Sequence, residues 1–251
     1  MSKQTMHMDI NTFVTQDITL RLRFQESMDE PDNHRYVIYD GAVNAERYLS
    51  SPIKIAWMLK EPYEEEDGTG GGWSFTDAFD KEDLYNHTFK QPHKATWHPI
   101  IYASYGITHG FQRWDDMPYI SNAPDLCDVV RSIAIVNAQK LPSLGGAKTD
   151  FAHIQRSYDK HQVLLHEQID LLQADIMVFA STFWLYRDAL GLANVEPMRK
   201  QSLDYYFKGG KLYVDAYHPA QLKHKRNVYV DDIIEAAEEW HSLLPKLPSD
   251  S

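Results

Sequence analysis

Residues 53–59 read IKIAWML, and the chain then turns polar as Lys60-Glu61-Pro62-Tyr63. A run this short, rich in Ile and aromatics and without clean polar alternation, suits a strand covered on both faces. Three further runs share its character: 132–137 (SIAIVN), 175–180 (DIMVFA) and 211–216 (KLYVDA). Helical periodicity fills much of the space between them. Leu165, Ile169 and Leu172 recur within 159–173, immediately ahead of the third run, and Ile233, Ala237, Trp240 and Leu244 mark an amphipathic C-terminal helix. Strands separated by helices predict a three-layer α/β/α sandwich around a central four-stranded, mostly parallel sheet.

No repeat, low-complexity run or Gly/Ser linker divides the 251 residues, so a single domain over 1–251 is expected. The stretch 76–126 differs from its surroundings. It is dense in aromatics, His and Pro with little regular period, which predicts a long elaborated crossover containing some helix. Apolar residues at 43% and charged residues at 24% are ordinary for a soluble globular chain and exclude wholesale disorder. No window approaches the roughly 18 apolar residues of a membrane helix. The first 17 residues lack the apolar core of a secretory signal. One cysteine, Cys127, cannot form an internal disulfide, a Cys-based zinc site or a protein-ligated iron–sulfur cluster. The expectation is a cytoplasmic monomer without metal or cofactor and without membrane contact.

Twenty-five Lys and Arg against 36 Asp and Glu leave a net charge of −11, so the molecule as a whole does not attract a polyanion. A local basic face can still do so, because screening confines surface fields to about 8–10 Å at physiological salt. In open α/β sheets ligands bind beyond the carboxyl ends of the strands. That rule selects Lys60-Glu61-Pro62-Tyr63, Asn137-Ala138-Gln139-Lys140, Ser181-Thr182 and Tyr217-His218-Pro219. Other motif classes are missing. Gly70-Gly71-Gly72 is not followed by Lys-Ser/Thr, Gly-x-Ser-x-Gly is absent, and the scattered His pairs lack metal-ligand spacing.

The ordered set Leu59-Lys60-Glu61-Pro62-Tyr63-Glu64, Gly72-Trp73-Ser74-Phe75, 132–142 (SIAIVNAQKLP) and His218-Pro219-Ala220-Gln221-Leu222 resembles the uracil-DNA glycosylase superfamily. Members of that superfamily carry a Gly-Gln-Asp-Pro-Tyr-like or Gly-Glu-Ala-Pro-Gly-like motif after the first core strand, a middle strand ending in Asn, and His-Pro-Ser after the last strand. The acidic, Gly-rich stretch 64–75 is similar to the segment that follows the first motif in the thermostable, iron–sulfur branch. The chain departs from the pattern in several places. Glu61 stands where the best-known branch has Asp, Glu64 replaces the His after Tyr, Ala220 replaces the Ser, and the iron–sulfur cysteines are missing.

The resemblance implies N-glycosidic bond cleavage, in which positive charge develops on the sugar and negative charge on the departing base. It gives Glu61 the role of steadying the sugar cation and orienting or deprotonating a water, with Glu65, Glu66 and Asp67 as substitutes in another register. His218, whose backbone the following Pro219 holds extended, would donate a hydrogen bond to the O2 of the leaving base. Asn137 would pair with the Watson–Crick edge of uracil, or else simply cap the next turn. Phe75 would stack on an extruded base, or else belong to the core. Tyr63 would crowd the C5 edge and exclude thymine. Base flipping needs backbone contacts to offset unstacking. For these the chain offers Lys223, Lys225 and Arg226 after the His-Pro motif, with Leu222 as a wedge and Lys140 and Lys148 on the same rim. The same basic run also reads as a solvated turn.

Three functions follow. The first is a monofunctional glycosylase removing uracil or a related deaminated base from single- or double-stranded DNA. The second is a binder or hydrolase of free nucleosides or nucleotides, which the acidic net charge favours. The third is a non-catalytic domain that keeps the fold.

Overall fold

The computed structural model describes residues 8–64, 67–90, 94–143 and 149–244. Its centre is the four predicted strands: β2 (Ile55–Leu59), β3 (Ala134–Asn137), β4 (Ile176–Ala180) and β7 (Lys211–Ala216). They lie side by side and parallel in the order β3-β2-β4-β7. The period-2 geometry of β2 explains its unbroken apolar character. Ile55, Trp57 and Leu59 enter one core cluster, Ala56 and Met58 the other, and all five are buried. The indole N–H of Trp57 donates to Ser104 Oγ at 3.0 Å, so the largest core side chain leaves no orphaned donor.

The sheet is larger than predicted. Seven strands run in the order β1-β3-β2-β4-β7-β6-β5, and the sheet is mixed, which corrects the four-stranded expectation. β1 (Gly41–Ala42) pairs antiparallel with β3, β6 (Leu203–Lys208) antiparallel with β7, and β5 (Met198–Arg199) antiparallel with β6. The β6–β7 hairpin turns on Gly209-Gly210, both at positive φ (57° and 72°), which is the two-residue loop that matches the twist of paired strands. β1 and β5 are two residues long and carry no readable period.

Helices cover both faces. On one face lie α3 (Phe75–Phe79), α4 (Lys94–Thr108), a 3₁₀ stretch at Pro124–Ser132 and α7 (Arg226–Leu243). On the other lie α1 (Ile10–Met28), α5 (Phe151–Leu172) and the short α6 (Phe183–Tyr186), with Tyr48 of α2 (Ala45–Ser50). The long crossover is thus largely helical, its aromatics Phe79, Phe89 and Trp97 packing together in the core. α5 begins earlier than its apolar period, because Asp150 caps it by accepting from Ala152 N and His153 N.

The Gly-rich segment serves the backbone. Residues 70–75 run alongside 34–39, with Tyr36 N donating to Gly70 O, Tyr39 N to Trp73 O and Phe75 N to Tyr39 O. A Cβ on Gly71 (φ +92°) would lie 1.9 Å from the Tyr36 carbonyl oxygen, so only glycine fits there. Glu64 closes the segment by accepting the Gly71 N–H.

Candidate active site

The carboxyl ends of β3, β2, β4 and β7 open on one edge of the sheet, and the tips that follow are tied together. Gln139 N donates to Lys60 O at 2.8 Å and Ser143 N to Pro62 O at 3.0 Å, which extends the β2–β3 pairing past the strands. Thr182 Oγ1 donates to Met58 O at 2.7 Å. Ser181, in the left-handed region at φ +63°, donates its N–H to Ala216 O, and its Oγ accepts the His218 N–H at 2.8 Å. With strands about 4.8 Å apart, the β2 and β7 tips are two spacings apart and the β3 and β7 tips three. Glu61, His218 and Asn137 therefore lie along one edge of the sheet, on tips one to three strand spacings apart.

Glu61 follows β2 directly and is largely buried against Lys60 and Thr149. Burial raises its carboxyl above the usual value, against the opposing pull of the Thr149 hydroxyl and the Lys60 ammonium, while Asp150 pushes the same way as burial. Its Oε2 is buried with no hydrogen-bond partner among the described residues. Lys60 is half-buried. Its Nζ donates to Thr149 Oγ1 at 2.6 Å and lies 5.5 Å from the centre of the Phe151 ring, and burial lowers its pKa. A carboxyl with a raised pKa is suited to accept a proton from a donor brought against it.

His218 is neutral and oriented. Its Nδ1 accepts the Ala220 N–H at 3.2 Å, which places the ring proton on Nε2. Burial, and then the Lys60 charge, push its pKa down to about 4. A neutral imidazole held as a donor can stabilise a developing anion without first carrying a charge.

Asn137 lies at the end of β3, opposite Leu59 in register, and is 1% exposed. Its amide donates to Asp40 Oδ2 at 3.2 Å, and its backbone N–H goes to the same oxygen at 2.7 Å. One amide hydrogen is committed to Asp40, which ties the end of β3 to the residue ahead of β1. Phe75 is buried within a cluster of Trp73, Phe79 and Trp97, as a core aromatic. Tyr63 is exposed beside Pro62.

Lys140 is not on the rim. It is 1% exposed and its Nζ donates to Asp40 Oδ1 at 2.6 Å and Gln168 Oε1 at 2.7 Å, 4.8 Å from the Phe24 ring centre. A phosphate contact is excluded for it, because extracting this ammonium would leave Asp40 buried and unpaired. Lys148, Glu65 and Glu66 lie outside the described residues.

The segment after His218 behaves differently. Leu222 is 98% exposed, and Lys223, Lys225 and Arg226 are exposed around it. None of the three pairs with an acid among the described residues, although Lys223 rests on the Tyr217 ring, 4.5 Å from its centre, and donates to the Tyr217 hydroxyl. Lys225 and Arg226 open α7, whose first turn contains no acid. Positive side chains on the positive end of an 18-residue helix are locally unfavourable and make a natural seat for an anion.

Sequence reasoning overlooked Thr149, Phe151 and Trp184 at this edge. Thr149 and Phe151 flank a helix cap and Trp184 lies in a single helical turn, so none carries a motif. Two surface clefts of about 470 and 490 Å³ lie at the opposite edge, ahead of β2 and β3, and share Asp125 and Asp128. Among the described residues, no group of three or more His, Cys, Asp or Glu could hold a metal ion, and no helix is long and apolar enough to cross a membrane. Comparison with protein-family models and with curated proteins finds no match.

Proposed function

We propose that the chain is a DNA glycosylase-like hydrolase of the uracil-DNA glycosylase type, cleaving the N-glycosidic bond of uracil or a related deaminated base. The observation that carries this reading is the pairing, on one sheet edge, of Glu61, whose Oε2 has no partner among the described residues, and His218 with its Nε2–H. Glycosidic cleavage needs one group for each developing charge. Glu61 faces the sugar, balances the oxocarbenium and takes the proton of the attacking water. His218 donates from Nε2 to the base oxygen as the bond breaks. Asn137 reads the base edge with its second amide hydrogen and its Oδ1, and Tyr63 borders the C5 side. Leu222 fills the stack vacated by the flipped base, and Lys223, Lys225 and Arg226 hold flanking phosphates. The four parallel strands at the centre of the larger sheet match the core of that superfamily.

The net charge of −11 and the loss of Lys140 from the rim favour a second reading, hydrolysis of free nucleosides at the same groups. One experiment separates the two. Uracil-containing single- and double-stranded oligonucleotides are incubated with the protein and cleaved with alkali, while deoxyuridine is followed in parallel by chromatography. Strand scission at uracil supports the glycosylase. Release of uracil from deoxyuridine alone supports the nucleoside hydrolase. Neither product, together with no salt-sensitive DNA binding, refutes both.

A further inference from the structure

Phe151 and Trp184 are the unexpected aromatics of this edge. Phe151 is 52% exposed and Trp184 45% exposed, although each sits within a turn of core residues. Their ring centres are 6.4 Å apart with the planes at 56°. Trp184 Nε1 donates to Ser181 O at 3.2 Å, and Ser181 in turn receives the His218 N–H. Phe151 lies under the Lys60 ammonium, next to Glu61 in sequence. The two rings thus bridge the Glu61 tip and the His218 tip, outside both.

We propose that Phe151 and Trp184 form a stacking subsite for an unpaired nucleobase adjoining the one that reaches Glu61 and His218, which makes single-stranded DNA the preferred form of substrate. The inference rests on the glycosylase reading of that edge and adds the strandedness and a second subsite.

Two features favour a base as the occupant. The indole is held by its N–H bond to Ser181, so its exposed surface is offered in one orientation and little freedom is lost on binding. The rings border positive charge, Lys60 at the ring itself and Lys223, Lys225 and Arg226 beyond His218, which suits a stacked base followed by phosphates. Single strands are selected because a base in a duplex already has both faces covered by its neighbours. Only an unpaired base can give a face to a protein ring.

The test uses the full chain and a dye-labelled oligothymidine with one central uracil, single-stranded or annealed, with binding read by fluorescence anisotropy. Phe151→Ala and Trp184→Ala should each weaken single-strand binding by about 5- to 100-fold. Binding to the duplex should change less than about twofold, and Trp184→Tyr should restore most of the single-strand affinity. Both side chains are half exposed, and unchanged melting temperatures verify the fold. Equal losses on both forms of DNA overturn the proposal, as does unchanged single-strand affinity in both variants, the result expected if the rings serve a protein partner. If the unmutated protein excises uracil but these variants bind normally, the subsite fails and the glycosylase reading stands. If it neither excises uracil nor binds either DNA, both fall together.

Discussion

The chain leaves β3 as Asn137-Ala138-Gln139-Lys140 and β7 as His218-Pro219-Ala220-Gln221-Leu222-Lys223, so each strand is followed within a few residues by Ala-Gln and a lysine. In the folded protein they are opposites. After β3, Lys140 turns inward to Asp40 and Gln168 and is fully enclosed. After β7, Lys223, Lys225 and Arg226 stay in solvent around the bare Leu222. The difference comes from what each loop meets. Asp40 arrives ahead of β1 to give the first lysine a buried partner. Pro219 and the start of α7 hold the second loop out from the sheet, with no acid in the first turn to neutralise it. A lysine's role at a strand tip is set by whether an acid reaches it.

The largest effect should fall on the buried side. Lys140→Met leaves Asp40 charged and unpaired and should cost about 3–5 kcal/mol by denaturant unfolding. Adding Asp40→Asn, which keeps an acceptor for the Asn137 N–H, should recover part of that loss. A small effect of Lys140→Met alone would erase the contrast between the two loops.

Next in size is the chemistry proposed for the two tips. Glu61→Gln and His218→Ala should each slow single-turnover excision by about 10²–10³, with DNA affinity nearly unchanged, since both act on charge that appears in the transition state. The pH profile sharpens the assignment. In the proposed reaction Glu61 works ionised, and its pKa is raised by burial, so activity should fall on the acid side with a limb above the usual 4.5. His218 works neutral with a pKa of about 4, so no limb should appear near 6.5. In stability terms the depressed His218 contributes fully above about 6.5, and that contribution is lost as pH falls from there toward 4.

A smaller effect lies in the strand that feeds the exposed loop. Asp215 on β7 stands directly opposite Asp204 on β6, and burial first, then that charge, push its pKa up to about 6. A raised carboxyl pKa means stability is lost as pH rises from about 4 through 6. Asp215→Asn should therefore stabilise by about 1–2 kcal/mol at pH 7–8, roughly 2–8 °C in melting temperature, and give no gain near pH 4. An equal gain at both pH values would mean that charge is not the cause.

The least disruptive change is on the exposed rim. Lys225→Ala should alter folding stability by less than about 0.5 kcal/mol while reducing the salt slope of DNA binding by roughly one unit. An unchanged slope would remove Lys225 from the interface.

The four central strands were legible because each is a short apolar run ended by a polar tip, a signal contained within seven residues. The β6–β7 hairpin was not expected: Gly209-Gly210 carries a turn signal, but 203–208 (LDYYFK) mixes polar and aromatic residues and lacks the continuous apolar character of the central strands. β1 and β5 were not legible, since two residues hold no period. At the candidate site, the positions of Glu61 and His218 just beyond β2 and β7 were legible, because each follows an apolar run directly. The burial of Phe75 and of Lys140 could not, because core and rim residues of those types look the same in a linear chain.

The sequence by itself determined the four central strands, their shared parallel edge and which polar residues follow them, because strand period, helix period and chain-breaking Pro and Gly are local properties. Only the tertiary structure decided that Lys140 is enclosed by an Asp 100 residues away, that His218 carries its proton on Nε2, and that Phe151 and Trp184 meet beside it. Charge pairing, tautomer and burial depend on partners distant in sequence, and those partners exist only once the sheet has brought its tips together.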